Sequence, residues 1–114
     1  MRPQSCKAKG RRAQQELRDA VLAAFPHLEA DDIRSTSMGA SGEDLLLSPA
    51  ARKVWPFYTE AKNVESLSIH KALAQASGKG RPPLVAFRKN NTPFHVALPL
   101  DVFLEILKRA NGAP

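Results

Sequence analysis

Short apolar runs alternate with stretches of helical spacing along this chain, and that alternation restricts its fold more than any other feature. Asp44–Leu47, Phe57–Lys62 and Leu84–Phe87 are each too short for a helix and read as strands with a buried face. Between them the spacing changes. Leu17, Val21, Ala24 and Phe25 fall on one face of a helix over Arg11–Phe25, which Pro26 ends. Ile69, Ala72, Leu73 and Ala76 do the same for Leu67–Ala76, before Gly78–Pro83 breaks the pattern. A last helix over Leu100–Arg109 carries Leu100, Phe103, Leu104 and Leu107 on one side, with Lys108 and Arg109 at its negative end. Ile33–Ser37 and Phe94–Leu98 are further strand candidates, and Asn90-Asn91 favours a turn ahead of the latter. Asp31-Asp32 is expected in a loop and Gly39–Gly42 in a turn. Ser48-Pro49 reads as a helix cap followed by proline at the first position of a single turn over Ala50–Lys53. The predicted order is α-β-β-β-α-β-β-α, an α/β chain whose mixed sheet is flanked by helices.

The 114 residues suit one domain with one core. An apolar share of 43% and a charged share of 25% argue against disorder throughout. The net charge of +6 is uneven. Arg2, Lys7, Lys9, Arg11 and Arg12 stand in the first twelve residues without one acid. Residues 1–10 are expected to be a flexible basic arm, with residues 11–114 the domain. Such an arm either contacts a polyanion, releasing counterions from phosphate, or serves as a solvated tail. The single cysteine, Cys6, excludes an internal disulfide and a cysteine metal cluster. No apolar run is long enough to span a membrane, and the N-terminus lacks the apolar stretch of a signal peptide. A cytoplasmic location is expected.

The segment from Asp44 to Lys62 carries the chemistry. If Leu47 and Phe57 face each other in a hairpin, Asp44 faces Glu60, with Cβ atoms roughly 4.5–5.5 Å apart. Carboxylates that close repel unless a cation lies between them, and a hard divalent ion such as magnesium suits oxygen donors. Lys62, two residues after Glu60, projects from the same strand face. There it can orient a water or stabilise charge on a phosphate. Taken singly, Glu-x-Lys is a common surface pair and Asp44 a common strand-start residue; their joint placement is what points to a site.

An acidic residue closing a glycine-rich turn, an apolar strand and then Glu-x-Lys on the next strand resembles the PD-(D/E)xK nuclease superfamily. Its α-β-β-β-α-β core corresponds to roughly residues 11–98. The stretch Gly39–Arg52 is similar to small phage-encoded nucleases of the Holliday-junction-resolvase-like kind. Glu43 stands where the motif's proline would be. The resemblance implies a restriction-endonuclease-like fold over residues 11–114. It implies Asp44, Glu60 and the Ala61 carbonyl as ligands of magnesium, with manganese able to substitute, and Lys62 as a catalytic residue. Glu16 would be the glutamate that resolvase-like members carry on the first helix; the other reading is an Arg12–Glu16 pair at i,i+4. Gln75 would be the glutamine after the motif, or else part of a solvated helix face.

The implied activity is magnesium-dependent hydrolysis of DNA phosphodiesters, on branched DNA such as Holliday junctions, in the host cytoplasm if the protein is phage-encoded. Lys7, Lys9, Arg11, Arg12, Arg34, Ser41, Lys79 and Arg81 are the expected DNA contacts. A homodimer would supply two matched cuts, and the apolar face of the last helix either forms its interface or covers the sheet. A non-catalytic nucleic-acid-binding protein is the alternative, although clustered carboxylates do not help a phosphate binder. His27, His70 and His95 show no metal-ligand spacing, and Cys6 has no defined base. Gly78–Arg81 lacks the spacing of a phosphate-binding P-loop and reads as a flexible loop. Trp55 is expected to pack under the hairpin.

Overall fold

The computed structural model describes residues 3–36 and 42–112. Its first helix, α1, runs Pro3–Ala24. Residues 3–10, expected as a flexible arm, are therefore helical. Proline suits the first position of a helix, where its missing N–H costs nothing, and the Gln, Lys and Ala that follow are good helix formers. Only Gly10 opposes them, by about 1 kcal/mol. Intrinsic propensity thus extends the helix past the point where its apolar stripe begins. That stripe is Ala13, Leu17 and Val21, all buried.

A 3-10 turn over Ala30–Asp32 replaces the loop expected at Asp31-Asp32. The Asp32 carboxylate accepts the Glu29 N–H and the Ser48 hydroxyl, each at 2.7 Å. The Ser48 hydroxyl, with help from that N–H, holds Asp32 below the usual carboxylate range. Strand β1, Ile33–Ser35, then pairs antiparallel with β2, Leu45–Leu47, in the register Ile33↔Leu47. Leu45 and Leu47 are buried while Leu46 between them is 48% exposed, the alternation of a sheet with one dry face. Helix α2, Pro49–Val54, follows its Ser48 cap, whose Oγ accepts the Ala51 N–H at 3.1 Å.

The second sheet is mixed. Strand β3, Tyr58–Asn63, runs parallel to β4, Pro83–Arg88, and α3, Ile69–Ala76, connects them. Strand β5, His95–Ala97, pairs antiparallel with β4. The turn between β4 and β5 contains Asn91 at φ 60°, as the expected Asn-Asn turn requires.

The expected hairpin between Leu47 and Phe57 does not form. β2 pairs with β1, and β3 takes β4 as its ladder partner over six residues. Helix α2 is the physical reason: it carries the chain out of plane, and the Trp55 indole Nε1–H donates to the Thr59 hydroxyl at 2.9 Å, folding that segment back on β3. Trp55 meets Phe57 edge-on, with ring centroids 5.2 Å apart. Between the sheets, the Asp44 N–H donates to the Thr59 carbonyl at 2.9 Å.

Leu17 and Val21 of α1 pack with Ile33, Leu45, Ala61, Leu84 and Ala86 in the main core. On the other face of the mixed sheet Val85 is buried, beneath the buried Ala72 and Ala76 of α3. Helix α4, Leu100–Ala110, has no buried residue. Val102 packs against the core, but Leu100, Phe103, Leu104 and Leu107 are 71, 47, 46 and 41% exposed. This face does not cover the sheet. No helix among the described residues is long and apolar enough to cross a membrane.

Candidate active site

Strand alternation sets the layout. Tyr58, Glu60 and Lys62 share the α3 face of β3, while Thr59, Ala61 and Asn63 share the face toward α1. The main-chain groups alternate as well. Tyr58 N–H bonds toward β4, to the Pro82 carbonyl, so the N–H and C=O of Thr59 and Ala61 point to the other edge, where Asp44 lies.

Asp44 is pinned into that edge. Its N–H donates to Thr59, its carbonyl accepts the Thr36 N–H at 3.1 Å, and its Oδ2 accepts the Ala61 N–H at 2.7 Å. The half-buried carboxylate therefore sits beside Ala61 and within reach of Glu60. Burial pushes its pKa up, against the Ala61 N–H, the Lys62 charge and a hydrogen bond from Glu60. Glu60 is pushed up to about 7, by burial and then by the Asp44 charge, and its own hydrogen bond to Asp44 adds to this; Lys62 and Lys79 oppose it. Both carboxyls thus resist ionising together, and the proton resides on Glu60.

Tyr58 extends the site. Its phenol is buried and its pKa raised, by burial and then by the charges of Glu60 and Glu43. Arg81 lies over the Tyr58 ring at 5.6 Å, donates to the Phe57 carbonyl at 3.3 Å and pairs with Glu43. Glu43 thus anchors Arg81, while a second Glu43 oxygen is buried without a hydrogen-bond partner. Lys79 approaches Glu60 from the loop after α3. Left-handed glycines flank it, Gly78 at φ 73° and Gly80 at φ 82°, a turn that other residues rarely adopt.

The expected residues separate into groups. Asp44, Glu60, Ala61 and Lys62 come together, with Lys79 nearby. Arg81 is held in structural contacts. Glu16 pairs with neither Arg12 nor the carboxylates: it takes Arg88, on the α1 face of the sheet. That pair borders a polar pocket with Lys9, Arg12, Asn63, Asn90 and Asn91. Gln75 is exposed on α3 and hydrogen-bonds to none of these residues. Arg11 is exposed on α1, and Arg34 is exposed beside Leu46 on the outer face of the small sheet. Lys7 falls within α1, and Ser41 lies outside the described residues, as does most of the Gly39–Gly42 turn. His27 and His70 are exposed, and His95 stacks on Phe87.

Tyr58 and Glu43 were missed from the sequence. Tyr58 carried a signal, being two residues before Glu60 on one strand face. Glu43 carried none, since its partner lies 38 residues away.

Among the described residues no three His, Cys, Asp or Glu side chains gather as a metal cluster. The donors present are two carboxylates and the Ala61 carbonyl on the same edge. They fit a hard divalent cation, because a carboxylate pair that otherwise retains a proton is relieved by positive charge between them. Comparison with family models, curated proteins and solved structures gave no match to this chain.

Proposed function

We propose that the chain is a magnesium-dependent DNA endonuclease with a restriction-endonuclease-like core formed by α1, β1, β2, β3, α3 and β4. One observation carries this reading. Two half-buried carboxylates, one just ahead of β2 and one on β3, are near neighbours; burial and then the Asp44 charge push Glu60 up to about 7, with a lysine on the same strand face. A binding-only protein leaves this pair unexplained, since carboxylates repel phosphate and cost stability when buried together.

Asp44, Glu60 and the Ala61 carbonyl would hold magnesium, or manganese in its place. When bound, the ion supplies Lewis acidity at the phosphate and a more acidic water. Asp44 enters with its carboxylate already oriented by the Ala61 N–H. Glu60 would give up its proton to water and serve as the second ligand. Lys62 orients the attacking oxygen or stabilises charge on the phosphate. Attack at phosphorus with departure of the 3′ oxygen leaves 5′-phosphate and 3′-hydroxyl ends.

Branched DNA and a homodimer belong to the same proposal. The exposed Leu100, Phe103, Leu104 and Leu107 of α4 form an apolar face of the kind that marks interfaces. A twofold pair would present two sites to a junction.

The test is incubation with labelled junction, flap, duplex and single-stranded DNA. Magnesium and manganese should support nicking, and calcium binding without efficient cutting. Asp44→Asn, Glu60→Gln and Lys62→Met should each bring cutting to background while melting cooperatively. Full cutting in excess EDTA refutes the proposal.

A further inference from the structure

On the sheet face that carries Glu60 and Lys62 lies a cavity that the hydrolysis leaves unused. The register places Lys62, Phe87 and His95 in one row across β3, β4 and β5, with side chains on the face of Glu60. The Phe87 and His95 rings stack, with centroids 5.9 Å apart and planes 29° from parallel. Val64, Leu67 and Ile69 line the cavity with them, enclosing about 340 Å³, and Lys89 adds a cation. Val64 is 39% and Ile69 37% exposed, so this apolar wall is left to water.

We propose that this cavity holds an unpaired nucleobase of the strand whose phosphate lies at Glu60 and Lys62. The inference rests on the nuclease reading and names the feature by which that site would choose its substrate. Three properties favour a base over another apolar occupant. Phe87 and His95 offer aromatic surface, on which a base stacks through its π-face whatever its sequence. Neighbouring strands are about 4.8 Å apart, so the platform lies roughly 5–10 Å from Lys62. That is the reach from a phosphate to a base attached beside it. Lys89 on the rim, and Lys62 one strand over from Phe87, supply positive charge for the flanking phosphates, while the Glu65 carboxylate on the same wall accepts the Asn90 N–H. A base in an intact duplex must first unpair and unstack, at a cost that is least where the strand is already single or branched. The cavity therefore favours flaps, junctions and single strands over continuous duplex. Stacking one base on aromatic side chains is worth roughly 5- to 150-fold in affinity.

The experiment uses the full chain in calcium with a fluorescent single-stranded oligonucleotide, in which one abasic nucleotide is moved along the sequence. The oligonucleotide is the single-stranded arm of a flap whose branch point sets the register, and cutting in magnesium is followed in parallel on flap and duplex substrates. The abasic nucleotide should weaken binding by about 10-fold at one position beside the held phosphate. The penalty should vanish in Phe87→Leu, which keeps the apolar volume, and in His95→Ala. In both variants the ratio of flap to duplex cutting should fall. Because His95 is exposed, its variant carries the test should Phe87→Leu fail to fold. Magnesium-dependent cutting with no abasic penalty, or with a penalty equal in the variants, overturns the base site and spares the nuclease reading. An abasic penalty without cutting supports the base site and overturns the nuclease reading. Absence of both binding and cutting overturns the two together.

Discussion

Removing one charge from the Asp44–Glu60 pair should stabilise the protein above neutral pH, before any substrate is involved. Glu60 is pushed from 4.5 to about 7, by burial and then by the Asp44 charge. In the folded state it keeps a proton that the unfolded chain releases near pH 4.5. Stability therefore falls as pH rises between about 4.5 and 7, because the native state binds more protons there. Full conversion corresponds to about 3 kcal/mol. Solvent at this partly open edge screens that to roughly 1–2 kcal/mol. Gln at position 60 carries no charge, and its amide donates to Asp44 as protonated Glu60 does.

In EDTA at pH 8, Glu60→Gln should raise Tm by roughly 4–8 °C, and most of that difference should be gone by pH 5. Magnesium should then raise the Tm of the parent at pH 8 and leave the variant nearly unmoved. Thermal melts followed by circular dichroism from pH 4.5 to 8.5 give the comparison. Parallel Tm curves across that range would refute the strained pair, and with it the case for a cation site.

Other outcomes follow from the side-chain geometry. Arg81→Ala should lower unfolding free energy by about 3 kcal/mol, because the Glu43 side chain, only 10% exposed, is left without its ion-pair partner; a change below about 1 kcal/mol in urea denaturation contradicts this. Replacing Lys9, Arg11 and Arg12 by alanine should flatten the dependence of DNA affinity on log salt by about 0.9 for each phosphate no longer neutralised, with α1 intact by circular dichroism; an unchanged slope would make these residues a solvated face. Phe103→Glu with Leu107→Glu should convert a dimer to a monomer by light scattering at micromolar concentration, and a strictly monomeric parent protein would refute the α4 interface.

The sequence by itself determined which segments are helices and strands, since period 3.6 and period 2 are local properties. It also determined that Glu60 and Lys62 share one strand face, because alternation needs no partner strand. Its largest local error of extent, the start of α1, came from reading apolar periodicity where propensity alone continued the helix to Pro3.

Pairing between strands was decided by the tertiary structure. Asp44 does meet Glu60, but through a main-chain bond to Thr59 and not through the expected ladder, because α2 and the Trp55–Thr59 bond turn the chain between β2 and β3. The partners of Glu16 and Glu43 lie 72 and 38 residues away and leave no periodic trace. Burial, too, is a property of the assembled layers. That Asp44 and Glu60 are half-buried, and so resist ionising together, follows only once β1, β3 and α3 close around them.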